Sequence, residues 1–188
     1  MVRYHWHVGE LVTLGDLKVG GTNTPSHWHL AKVGLLALWA TIGFDLFLHA
    51  GVLATLYQAP SPFLLSPEES FRRIPLGYVS FAIMIALLAV LVRRLGFLGW
   101  KRGMSFGLSF GAFVWGSLAL GLYSISTASP GLLLGWFLGQ TVELGIAGLV
   151  VGVGLQHGRL RSLLLKVAVF FVVLVALAVV LQNVNAIG

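Results

Sequence analysis

Long apolar runs separated by short polar stretches set the plan of this chain. Residues 32–58, 76–92, 103–125, 131–155 and 163–182 are each apolar throughout most of their length. A helix needs about 20 such residues to cross a membrane, so each run predicts one span. The run boundaries carry helix-start signals. Thr24-Pro25 reads as an N-cap followed by proline at the first helical position, and Ser129-Pro130 repeats the pattern. Ser66-Pro67-Glu68-Glu69 adds acids to the first turn, opposite the positive end of the helix dipole. With Pro75 closing it, that stretch predicts a short interfacial helix between the first two spans. A helix begun at Pro25 and carried to Gln58 is about 50 Å long at 1.5 Å per residue. That exceeds the hydrocarbon core, so its first turns, with His27, Trp28, His29 and Lys32, belong in the headgroup layer.

Residues 1–24 contain no span, and Glu10–Val19 alternates imperfectly around Gly15-Asp16, as a short hairpin or irregular lid would. Residues 183–188 are left as a tail. The predicted fold is therefore an all-α integral membrane protein. It is a bundle of five transmembrane helices over residues 25–182, with an N-terminal lid and one interfacial helix.

Composition strengthens this picture. Of 188 residues, 57% are hydrophobic and only 10% charged, and the mean hydropathy is +0.92. A soluble domain carries about 25% charged residues. A net charge of +6 would suggest a nucleic-acid partner in a soluble protein. Here the basic residues cluster between apolar runs, so the expected partner is the bilayer and no nucleic acid. Arg93, Arg94, Lys101 and Arg102 follow the second run, and Arg159, Arg161 and Lys166 follow the fourth. The connection after the third run is uncharged, and after the first Arg72 and Arg73 are opposed by Glu68 and Glu69. Basic loops stay on the cytoplasmic side, which predicts a cytoplasmic N-terminus in a prokaryotic inner membrane. No cleavable signal is expected, because no apolar core precedes Lys32. Cysteine is absent, which excludes disulfides, thiolate metal sites and cysteine nucleophiles.

Glycine spacing suggests how the helices meet. Gly103, Gly107 and Gly111 recur every fourth residue, as do Gly131, Gly135 and Gly139, and Gly148 and Gly152 continue the theme. Small residues at this spacing let two backbones approach, within one chain or across a homo-oligomer seam. Val167–Leu181 has no polar residue and is expected to face lipid or another membrane subunit.

Chemistry concentrates at two polar interruptions. Asp45 and His49 lie one turn apart inside the first run, and Gln140 and Glu143 lie inside the fourth. In antiparallel helices the two acids fall at similar depth, with His49 about 6 Å and Gln140 about 4.5 Å further outward. No Lys or Arg occupies the centre of any run, so the acids have no fixed cationic partner. Protonation, pairing with a protonated His49, or a bound cation would each resolve this. Two carboxylates and an imidazole suit iron, manganese or zinc. His49 alone could instead ligate a tetrapyrrole, and neutral acids could simply hydrogen-bond neighbouring helices.

His5-Trp6-His7 and His27-Trp28-His29 form a doubled motif. On a helix His27 and His29 point about 200° apart, which prevents joint chelation. Both triplets are read as interfacial anchors, with a metal site as the alternative. The functional expectation from these features is a non-catalytic accessory subunit of a larger membrane complex. The alternatives are a proton- or cation-coupled transporter using Asp45, His49 and Glu143, and an intramembrane metal enzyme using the same residues as ligands.

Overall fold

The computed structural model describes residues 26–58, 61–157 and 160–187. Its elements are α1 (His27–Leu46), a π-helical continuation (Phe47–Val52), α2 (Ala54–Gln58), α3 (Pro67–Leu95), α4 (Trp100–Ile125), α5 (Pro130–Gln156) and α6 (Arg161–Ile187). No strand occurs among the described residues. Five helices are long and apolar enough to cross a membrane: His27–Val52, Pro67–Leu95, Trp100–Ile125, Pro130–Gln156 and Arg161–Val184.

Serines open three of them. Ser66 and Ser129 accept the amides of Glu69 and Leu132, each followed by proline at the first helical position. At the first helix the cap is Ser26 rather than Thr24, because the Ser26 hydroxyl accepts the His29 amide at 3.2 Å. Thr24, Pro25 and the rest of the lid segment lie outside the described residues. Gly96 ends α3 at φ 71°, a left-handed position that glycine adopts without a Cβ penalty.

Three expected boundaries change. The predicted interfacial helix is not a separate element: α3 runs unbroken from Pro67 to Leu95 with Pro75 inside it. Proline removes one helical hydrogen bond, here to the Phe71 carbonyl, and the helix continues past it. At 29 residues, α3 is about 43 Å long, so its first turns extend past a hydrocarbon core of about 30 Å. The first span does not run as one α-helix to Gln58 but turns π-helical at Phe47 and breaks at Leu53. The residues assigned to a tail from 183 onward continue α6 as far as Ile187.

Helix α5 is the centre of the bundle. Two thirds of its most apolar stretch (67%) is buried, against 6% for α4. One core joins Val33, Leu36, Ala37 and Ala40 of α1, Ile85, Leu88, Ala89 and Val92 of α3, and Leu144, Ala147, Val150 and Val151 of α5. The outer faces of α3, α4 and α6 are apolar and exposed. Lipid is as apolar as those side chains, so the helices are held by close packing rather than by escape from water.

That packing uses glycines on two faces of α5. At 100° per residue, Gly148 lies about 180° around the helix from Gly139. The α4 stripe Gly103, Gly107 and Gly111 meets Gly152, Gly148, Gly145 and Thr141. The stripe Gly131, Gly135, Gly139 therefore turns away from α4. Gly135 and Gly139 face Leu53 and Leu48 of the first span, and Gly131 has no heavy atom within 4 Å of a would-be Cβ. Helix α6 is not wholly outward: Gly43 admits Phe171 and Gly51 admits Leu181, so one stripe of α6 covers the first span.

Candidate functional site

The close approach of the first span to α5, made possible by Gly135 and Gly139, brings the two polar interruptions together. Ligand atoms of Asp45, His49 and Glu143 all lie within 4.8 Å of one another. Three layers follow the helix axes. Asp45 and Glu143 form the deepest. Above them, the Gln140 amide nitrogen donates to Glu143 Oε1 at 3.1 Å and sits 3.2 Å from His49 Nε2. His49 Nε2 is also 3.4 Å from Asp45 Oδ1. The outermost layer is Tyr57 and Trp136: the indole N–H donates to the Tyr57 oxygen at 2.6 Å, and His49 Nδ1 bonds the same oxygen.

These contacts fix the imidazole. In the tautomer in which Nε2 accepts from the Gln140 NH₂ group, Nδ1 carries the proton and donates to Tyr57. A histidine whose far nitrogen is tied down while the near one faces two carboxylates has the arrangement usual for metal ligands. The Tyr57 oxygen then accepts twice, and its own proton is left for a third partner.

Charge makes the cluster demanding. Glu143 is 1% exposed, and its Oε2 has no hydrogen-bond partner. Among the described residues, Arg72 pairs with Glu68 at the exposed start of α3, and the His49–Asp45 contact is an ion pair only when the imidazole is protonated. An ionised carboxylate at mid-membrane depth costs about 2.5–3.5 kcal/mol on insertion scales. Two carboxylates beside a neutral imidazole carry two negative charges, which one divalent cation neutralises. Ligand atoms bound at 2.0–2.2 Å lie no more than about 4.4 Å apart, so side-chain rotations of roughly 1 Å close the set around an ion.

A cavity of about 620 Å³ adjoins this cluster, lined by Asp45, His49 and Tyr57 on one side and by the N-terminal half of α3 on the other. The π-helical segment carries His49; such wide turns recur at functional sites.

The other sequence-predicted residues sit apart. His27 and Trp28 are exposed, and Lys32 stands 5.2 Å over the Trp28 ring. His29 turns inward, with Nε2 donating to the Gly154 carbonyl at the end of α5 at 2.9 Å. His5, Trp6 and His7 lie outside the described residues. Sequence reasoning missed Tyr57 and Trp136. Trp136 had a signal, one turn before Gln140 on the same face. Tyr57 had none, because eight residues of plain α-helix from His49 would place it about 80° away.

Compared with protein-family models, with curated proteins and with solved structures, the chain matches none.

Proposed function

We propose that this protein is an intramembrane metal-binding protein, in which Asp45, His49 and Glu143 hold one divalent transition-metal ion between two spans. The observation that carries the reading is the convergence of three ligand atoms within 4.8 Å from two spans, one of them on a buried residue with an unpartnered oxygen. The mixed nitrogen and oxygen donors suit iron, manganese or zinc. Tyr57 and Trp136 supply the outer layer that holds the imidazole. With the N-terminus in the cytoplasm of a prokaryotic cell, the centre lies in the outer half of the inner membrane.

The test is elemental analysis of protein purified without chelator, alongside folded Glu143→Gln and His49→Gln variants. About one ion per chain is expected in the parent and under a tenth of that in either variant. Equal metal in all three would overturn the assignment.

A second reading has its own support. Asp45, His49 and Glu143 are three groups that can each take up or release a proton, and their ligand atoms lie within 4.8 Å of one another, which suits proton movement. A metal-free parent that conducts protons in vesicles, and loses this in Glu143→Gln, would favour it. The accessory-subunit reading rests on apolar outer faces that a bilayer covers equally well, so the geometry adds nothing to it.

A further inference from the structure

Helix α3 packs into the core through Ile85, Leu88, Ala89 and Val92, all in its C-terminal half. Its N-terminal half stands off the first span, and the gap is the cavity of about 620 Å³. Sites for small molecules run from about 300 to 1,000 Å³. The two walls are chemically unlike. The first span contributes Asp45 and His49 and α2 contributes Tyr57, while α3 contributes Phe71, Tyr78 and Phe81. Phe71 is 75% exposed, so the α3 wall also faces outward.

We propose that this cavity binds a lipid-soluble ring compound with neutral oxygen substituents, of the quinone or quinol class. The mouth of the cavity, at Pro67 and Ser70, lies in the first turns of α3, but its far end does not suit a charged headgroup. Phe81 is about 21 Å along the helix from Pro67, well below the headgroup layer, where phosphate would be desolvated without a cation to meet it. Shape favours a flat ring, because aromatic side chains form one wall and prefer offset or edge-on ring contacts. Hydrogen bonding favours oxygen at the ring. The Tyr57 oxygen accepts from Trp136; with His49 protonated on Nδ1 it accepts there too, which leaves its proton for a carbonyl, and Asp45 can accept from a hydroxyl. The inference rests on the cavity rather than on a bound ion, and goes beyond the metal reading.

The test uses the whole protein in phosphatidylcholine nanodiscs, labelled with a photoreactive azidobenzoquinone bearing a decyl tail. Saturable labelling is expected within residues 45–57 and 67–81, competed by plain decylbenzoquinone. Two variants narrow the cavity. Gly77 lines it and a Cβ there meets nothing within 4 Å, so Gly77→Leu adds bulk without pressing on the backbone; Ala50→Phe adds bulk from the opposite wall. At least one is expected to weaken competition tenfold or more, and Tyr57→Phe to weaken it several-fold. Metal content of Gly77→Leu should equal that of the parent, so loss of quinone binding is separable from failure of the metal assignment. Unsaturable labelling spread over the outward faces of α4 and α6 would overturn the proposal. So would a tightly held phospholipid, seen by native mass spectrometry, that Gly77→Leu expels and decylbenzoquinone does not.

Discussion

Replacing Gly107 by alanine tests the packing of the bundle most directly. A Cβ on Gly107 would lie 3.1 Å from the Gly145 Cα and closer still to the Leu144 carbonyl oxygen. Both are backbone atoms of α5, which cannot rotate aside as a side-chain tip can. The helices must therefore separate, and every contact along the seam weakens with them. Overpacking of this kind costs about 1–3 kcal/mol. Alanine also gains about 0.5–1 kcal/mol over glycine from helix propensity alone, which would mask part of the loss. Gly121→Ala removes that ambiguity. It lies on the same helix, and its Cβ meets nothing within 4 Å, so it gains the propensity without the clash. The two variants should differ by about 1–3 kcal/mol, with Gly121→Ala at or above the parent and Gly107→Ala below it. Reversible unfolding in mixed micelles of increasing denaturing detergent measures the difference. If Gly107→Ala is as stable as Gly121→Ala, the close seam between α4 and α5 does not exist.

Three further outcomes follow from the site and its supports. Tyr57→Phe should leave the fold intact and weaken metal binding about 10–100-fold, the usual effect of losing an outer-layer partner of a ligand histidine, as read by competition with a chromogenic chelator. Ser26→Ala removes the cap of the first helix, and about 1 kcal/mol of stability with it, without changing metal content; equal unfolding curves would show that the cap is idle. Gly43→Val should loosen α6, because a Cβ there meets the Phe171 ring at 2.8 Å and its backbone at 3.2 Å. Faster amide exchange around Phe171 than in α4 is the expected sign.

The local parts of this fold were readable in the sequence for local reasons. Ser66-Pro67 and Ser129-Pro130 start helices wherever they stand, because the cap and the missing proline N–H are satisfied within one turn. Asp45 and Glu143 stood out because lipid penalises them wherever their helices sit. Long-range relations were not readable. Nothing along the chain says that the first span touches α5, or that α5 uses its Gly148 face for α4 and its Gly139 face for the first span. Pro75 misled because its local effect, the loss of one helical hydrogen bond, did not stop the helix that Ser66 and Pro67 start. Tyr57 was hidden by the π-helical turn, which changes the phase between it and His49 in a way no residue spacing announces.

The distance between the first span and α5 at the site is set by Gly139, next to Gln140. A Cβ on Gly139 would strike the Leu48 side chain, with Cγ and Cδ1 of Leu48 each at 3.2 Å. Unlike the seam between α4 and α5, the obstacle here is a side chain, so a partner substitution can remove it. Gly139→Ala should push His49 away from Gln140 and Glu143, lowering metal affinity together with stability. Leu48→Ala alone leaves a cavity and costs about 2–5 kcal/mol. The double variant should recover part of both losses, because the added methyl fills space that the missing isobutyl group vacates. Contacting pairs of this sort couple by about 0.5–3 kcal/mol. A favourable coupling that restores metal affinity along with stability would tie the site's geometry to helix spacing. Stability recovered without affinity would mean that the ligands hold their positions through the Tyr57–Trp136 layer instead, and strictly additive losses would remove Gly139 from any part in setting that distance.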